Sequence, residues 1–222
     1  VASVNVSLCN GNTNGSITVN SATGGSGTYQ YSIDGTTWQS SNSFTGLGAG
    51  TYQVSVRDAA NTTCVKDLDA SAGTTLTQPT LLTNTNALSN YNGVNISCNG
   101  GSNGTITATP AGGTSPYTYQ WYTGSGTTSA ISGQTANLIS GLTAGTYTVK
   151  VIDGNGCITT TTSTLTQPSI GLIATITSTT DVSCNGLSDG STGVNAIFGT
   201  APYTYAWTGP GTFTATTATI SN

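Results

Sequence analysis

The sequence predicts an all-β protein built of tandem antiparallel sandwich domains, and three observations carry that prediction. The first is composition. β-Branched and turn-forming residues dominate, while the strong helix formers are scarce: Lys and Arg total three, and Met and Glu are absent. The second is alternation of apolar with polar residues along short segments, the period of a half-buried strand. The third is an internal repeat. CNGNTNGSITV (Cys9 to Val19), CNGGSNGTITA (Cys98 to Ala108) and CNGLSDGSTGV (Cys184 to Val194) are versions of one string, starting 89 and 86 residues apart.

Each element of the repeat follows in order. After the cysteine string come GGSGTYQYSI (Gly24 to Ile33), GGTSPYTYQW (Gly112 to Trp121) and GTAPYTYAW (Gly199 to Trp207). Tyr117, Tyr119 and Trp121 fall on one face of a strand, repeated as Tyr203, Tyr205 and Trp207, and are expected to face the core. The first copy has Tyr29, Tyr31 and Ile33 there. Next, GLGAGTYQVSVRD (Gly46 to Asp58) matches GLTAGTYTVKVID (Gly141 to Asp153). Tyr52, Val54 and Val56, like Tyr147, Val149 and Val151, fall on one face, and Arg57 and Lys150 share the outward position. A tyrosine opening this strand resembles the tyrosine corner of sandwich domains, so burial of Tyr52 and Tyr147 is expected. Each of these segments leads to a second cysteine, Cys64 or Cys157, and then to LTQP, whose proline should end the last strand. NG, DG and GG dipeptides between segments supply tight turns.

The repeat length matches an immunoglobulin-like β-sandwich. Domains are expected at residues 1–82, 83–170 and, as a partial third copy, 171–222. The connectors are short, and Ile170, Leu172, Ala174 and Ile176 keep strand alternation into the third copy, favouring domains arranged as a rod.

Position within the repeat sets the expected disulfides: Cys9 with Cys64 and Cys98 with Cys157, spanning 55 and 59 residues. Such loops correspond to roughly 4 kcal/mol each, and the bonds imply an oxidising, extracytoplasmic compartment. Cys184 is the first cysteine of the third copy, whose GLxAGTY segment and second cysteine would lie beyond Asn222. It is expected to be unpaired for that reason, with a reactive thiol or an intermolecular bond as the alternatives for an odd count.

Several function classes find no support. Charged residues are 5% of the chain and the net charge is −4, so no basic surface exists for a phosphate backbone. No apolar run reaches the ~20 residues of a membrane helix. CxxC pairs and histidines are absent, which argues against a structural zinc site. Acid–base catalysis would fall to aspartates, tyrosines or isolated lysines, and Asp34, Asp58 and Asp153 sit in turn contexts where a carboxylate caps its own backbone. Asp153-Gly-Asn155-Gly resembles the start of a calcium loop but lacks the later acidic ligands. Asp67 and Asp69 are expected to be solvated strand residues. The sequence therefore predicts no enzyme, no cofactor and no metal. Sequons at Asn5, Asn14, Asn61, Asn95 and Asn103 are expected by chance in so Asn-, Ser- and Thr-rich a chain.

CNGxxNGxI, GGxxPYTYxW, GLxAGTYxVxVxDxxGC and LTQP, in that order, resemble the SprB-type repeat of large surface adhesins in gliding Bacteroidetes. The resemblance covers essentially the whole chain. It implies a long tandem array exported by type IX secretion and displayed at the cell surface as filaments that serve adhesion and gliding. The first copy departs from the pattern at Gly27–Thr28 and at AANTTC. Two functions stand against each other: a structural stalk whose partners are further repeats or neighbouring copies, and a module that itself holds surface polysaccharide. Core-facing aromatics favour the stalk.

Overall fold

The computed structural model describes residues 1–69, 72–199 and 201–221. Among these, every regular element is a strand. The chain forms two compact units, one of 1–85, 110–119 and 150–160, the other of 86–109, 120–149 and 161–222.

The first copy contributes β1 (Ala2–Val4), β2 (Gly15–Thr18), β3 (Tyr29–Ser32), β4 (Ser43–Leu47), β5 (Gly50–Tyr52), β6 (Ser55–Asp58), β7 (Val65–Asp67) and β8 (Thr74–Leu76). The second contributes β9 (Thr83–Leu88), β10 (Gly104–Ala111), β11 (Thr118–Thr123), β12 (Ser129–Ala130), β13 (Leu138–Leu142), β14 (Gly145–Ile152) and β15 (Ile158–Leu165). In the third are β16 (Ile173–Thr180), β17 (Ser191–Ile197), β18 (Trp207–Thr208), β19 (Thr214–Ala215) and β20 (Thr219–Ser221).

One sheet recurs in all three copies, ordered β1-β2-β4, β13-β10-β9 and β16-β17-β20, always with the strand after the cysteine loop in the middle. The second sheet is β3-β6-β7 with the pair β5-β8 in the first copy, and β12-β11-β14-β15 in the second. Strands 1, 2 and 5 of the second copy thus form one sheet and strands 4, 3, 6 and 7 the other, the partition of an immunoglobulin-like sandwich. In the third copy the described part of the second sheet is the ribbon β18-β19.

Alternation explains the core. In β2 the inward residue Ile17, with neighbouring Val19, packs with Tyr31 of β3, Val54, Val56 of β6 and Leu76 of β8, so residues from both sheets fill one interior. In the second unit Ile106, Ala108, Trp121, Ile139, Tyr147, Val149 and Leu165 are buried at the matching positions. The third copy differs: β16 is exposed along its whole length, and Leu172, Ile173, Ile176, Ile197 and Phe198 face solvent.

Strand direction gives each sandwich two distinct ends. At one end lie the cysteine loop and LTQP. Asn10 Nδ2 donates to the Pro79 carbonyl at 3.0 Å and the Gly11 amide donates to Gln78 Oε1 at 2.8 Å. In the second copy Asn99 bonds Pro168 and Gly100 bonds Gln167 in the same way, at 2.8 and 2.9 Å. At the opposite end lie the GGxxPY loop and the turn that carries the second cysteine, tied together by Asp58 or Asp153.

Candidate functional site

The first unit holds the joint between the LTQP end of the first copy and the turn end of the second. Its residues come from three short stretches: Ser7 to Cys9, the connector Thr80 to Thr83, and the loops around Thr114 and Asp153–Cys157.

Asp153 organises the joint. It directly follows β14 and is 5% exposed. Its Oδ2 accepts the Thr114 amide at 2.8 Å, and its Oδ1 accepts the amides of Asn155 at 3.0 Å and Cys157 at 2.8 Å. Burial pushes the carboxyl up, but the donated amides outweigh it and hold the group below the usual carboxylate range. Gly113 lies close enough that a Cβ there would meet Asp153 Oδ2 at 2.6 Å, at a φ of +63°. Only glycine fits that loop.

Held this way, Asn155 reaches the first copy. Its Nδ2 donates to the carbonyls of Ser7 at 2.9 Å and Leu8 at 3.1 Å. Beside it, Cys157 is joined to Cys9, with Cα atoms 5.6 Å apart. The connector is fastened too: the Gly113 amide donates to the Thr80 carbonyl at 2.9 Å, Thr83 Oγ1 donates to the Ala111 carbonyl at 3.2 Å, and Leu82 is buried.

This bond corrects both expected pairings. Cys9 is not joined to Cys64, nor Cys98 to Cys157; Cys64, Cys98 and Cys184 are free and exposed. The reason is strand length. Cys98 is tied through Asn99 and Gly100 to the end of β15, whereas Cys157 precedes its start. Eight residues of β15 at ~3.3 Å each separate them by roughly 26 Å, against a reach of ~7 Å for a disulfide. Matched sequence positions are therefore opposite ends of one sandwich, and adjoining ends of successive ones.

Asp34, Asp58 and Asp189 also brace loops. Asp34 Oδ1 accepts the amides of Thr37 and Thr36 and the Ser32 hydroxyl, which hold its carboxyl far below the usual range. Asp58 is lowered to about 2, chiefly by the Ser26 hydroxyl and amide, with the Ala60 amide adding to it. Asp189, lowered by Ser183, closes the third cysteine loop. Asn14 with Ser7 and Asn103 with Ser97 close the other two, so the sequon asparagines Asn14 and Asn103 are loop staples. The sequon asparagines Asn5 and Asn95 accept the amides of Thr77 and Thr166 at the start of the clasp. Asp67 is exposed and accepts from Ser55. Asp69 departs from expectation: it is half-buried and accepts the Val54 amide, where the broken β5–β6 edge leaves that donor without a strand partner. Among the described residues no cluster of three or more His, Cys, Asp or Glu could hold a metal.

The aromatic residues expected in the core differ in burial. Trp121 is fully buried, with its indole N–H donating to the Ala136 carbonyl at 2.9 Å, and Tyr147 is 7% exposed. Tyr52, Tyr117, Tyr119, Tyr203, Tyr205 and Trp207 are half-buried. Tyr52 and Tyr147 each donate to a carbonyl four residues upstream, Gly48 and Thr143. Tyr29, Tyr117 and Tyr203 each donate five residues upstream, to Gly24, Gly112 and Phe198. Alternation missed Tyr122, which is buried although it neighbours Trp121 on the strand. It also missed Arg57, whose guanidinium lies 4.4 Å over the Trp38 ring and bonds Gln30.

The fold and the joint thus define a tandem β-sandwich repeat protein with a cross-linked boundary. The SprB repeat model matches at residues 1–37, 90–126 and 176–212, half of the residues, and the chain belongs to the SprB repeat family. That match brings a repeat and no catalytic domain. No curated protein matches the sequence. Among solved structures, the three N-terminal domains of the bacteriophage RB49 Highly Immunogenic Outer Capsid protein (Hoc) are similar at 14% identity, over 97% of this chain and 77% of that one, with a TM-score of 0.41.

Proposed function

We propose that this chain is a structural stalk segment of a large secreted cell-surface adhesin, its repeats stacked end to end as a filament that serves adhesion and gliding after export by type IX secretion. The observation that carries this reading is the joint. A bond between Cys9 and Cys157, the Asn155 clasp and a short fastened connector restrain two successive repeats, which suits a load-bearing thread and has no use in a catalytic cleft. Membership of the SprB family supports surface display, and the disulfide fits an oxidising compartment. The low charge of the chain removes long-range repulsion between repeats and between copies. Electron microscopy of native material tests the proposal: threads one sandwich wide support it, and compact particles with repeats packed side by side overturn it.

One feature favours a second reading, direct binding of surface polysaccharide. In the first copy Tyr29, Arg57, Asp58 and Lys66 line an open groove of about 430 Å³, and Trp38 lies under Arg57. A glycan array run with the chain and its Arg57→Ala variant decides this: retention on a glycan lost by that change would favour the binding module.

A further inference from the structure

We propose that the disulfide is staggered by one repeat along the entire array, the first cysteine of each repeat joining the second cysteine of the next. Cys98 is then the outgoing half of a bridge to the second cysteine of the third repeat. Cys64 is the incoming half of a bridge from the first cysteine of a preceding repeat. For the existence of those neighbours the inference rests on the array reading above.

The outgoing seat is the same in each copy. The carbonyls of Cys9, Cys98 and Cys184 accept the amides of Asn12, Gly101 and Leu187 at 3.1, 3.0 and 3.1 Å, closing the same turn. The Asn–Pro and Gly–Gln clasp that presents Cys9 to its partner presents Cys98 identically.

The incoming turn is also shared. The Asp58 amide donates to the Cys64 carbonyl at 3.2 Å, as that of Asp153 does to Cys157 at 3.0 Å. Each carboxylate grips the loop opposite, through Ser26 or Thr114. Cys64 therefore stands where Cys157 stands, without a partner and exposed.

The boundary after the second repeat shares one approach with the first, although Leu172 is exposed where Leu82 is buried. A Cβ at Gly113 would lie 3.2 Å from the Leu82 Cβ, and one at Gly199 would lie 3.4 Å from the Leu172 Cβ. The Gly199 loop of the third repeat thus approaches its connector as the Gly113 loop of the second does, and on the array reading the second-cysteine turn of the third repeat belongs at the same end of its sandwich as that loop. Within the second repeat Cys98 and Cys157 stay roughly 26 Å apart across the eight residues of β15.

Chemically, each bridge takes two thiols to one disulfide. Two protons and two electrons pass by thiol–disulfide exchange to an oxidising protein or small-molecule disulfide, which leaves as two thiols.

The test is peptide mapping of the native full-length array, alkylated before unfolding and digested without reduction. The expected result is Cys9 linked to Cys157, Cys98 linked to the second cysteine of the third repeat, and Cys64 linked to the first cysteine of the preceding one. Cys98–Cys157 or Cys9–Cys64 linkages, or Cys98 recovered alkylated, overturn the inference. Within the 222-residue chain, Cys9→Ser should convert Cys157 from protected to fully alkylated and leave Cys98 alkylated. A Cys98–Cys157 bond in that variant would also overturn it. Intra-repeat linkages found in thread-like particles would sink the staggered bridge alone, whereas compact particles would sink the array reading itself.

Discussion

At the scale of single residues, hydrogen bonding to aspartates does most of the loop building. Asp34, Asp58, Asp153 and Asp189 each accept two or three donors, and all four carboxyls are held below their ordinary value. The unfolded chain therefore takes up protons at higher pH than the folded one. Stability from these groups is complete above the ordinary aspartate value near 4 and is lost as pH falls through the folded values, about 2 for Asp58. With no histidine and no glutamate in the chain, denaturant midpoints should be flat from about pH 5 to 7 and fall steeply below about 4. Asp58→Asn should reduce that acid slope; an unchanged slope would show that Asp58 does not contribute. Tyr147→Phe removes one buried hydrogen bond to Thr143 and should cost about 1 kcal/mol in equilibrium unfolding. The turn roles of Asp34 and Asp153 were legible in the sequence because an aspartate before glycine has few other uses, and that of Asp58 from its place at the matching end of the repeat. The Arg57–Trp38 stack was not, since Trp38 lies outside the strand register that organises the other aromatics.

At the scale of elements, the glycine that closes CNGxxNG decides how the central strand starts. Gly104 opens β10 beneath its neighbours, and a Cβ there would meet Ile96 Cδ1 at 2.5 Å, Leu165 Cδ1 at 2.8 Å and the Leu142 carbonyl at 2.9 Å. Gly15 repeats this against Leu76 Cδ1 and the Leu47 carbonyl, both at 2.9 Å. Gly104→Ala should therefore cost about 1 to 3 kcal/mol through overpacking, while Gly126→Ala, where a Cβ meets nothing within 4 Å, should be nearly silent. Equal effects from the two in urea titrations would contradict this account. Strands such as β10 and β14 could be read directly from their period of two, because half-buried sheets impose it. β5 and β6 could not be separated from each other that way. The alternation of Tyr52, Val54 and Val56 runs straight through the break, which is set by Asp69 taking the Val54 amide in place of a neighbouring strand.

At the scale of the whole molecule, the disulfide shows why repeat position alone misleads. Two cysteines that each precede a strand seem equivalent until the strands' directions are followed, and the eight residues of β15 then place them at opposite ends. What was legible was the all-β fold and the repeat; what was not was a contact between one copy and the next, which no periodicity within a repeat encodes. The bond has a consequence for the connector Thr80 to Thr83. The Cys9–Cys157 bridge closes a span of 148 residues, for which loop-closure entropy gives about 5 kcal/mol as an upper-end value. The sandwich cores do not depend on it, since Ile17, Val54 and Leu76 are buried within the first copy and Ile106, Val149 and Leu165 at matching positions in the second. Removing the bridge should therefore loosen the boundary before it unfolds either repeat. In the Cys157→Ser variant, limited proteolysis should cut first at residues 80–83 and at least tenfold faster than in the oxidised parent, a tenfold change being about 1.4 kcal/mol of local opening. The fragments should then keep protected amides in β2 and β14. Cleavage at an unchanged rate would mean that Asn155 and the connector bonds hold the boundary without the disulfide, and loss of amide protection throughout both copies would mean that the bridge supports the folds themselves.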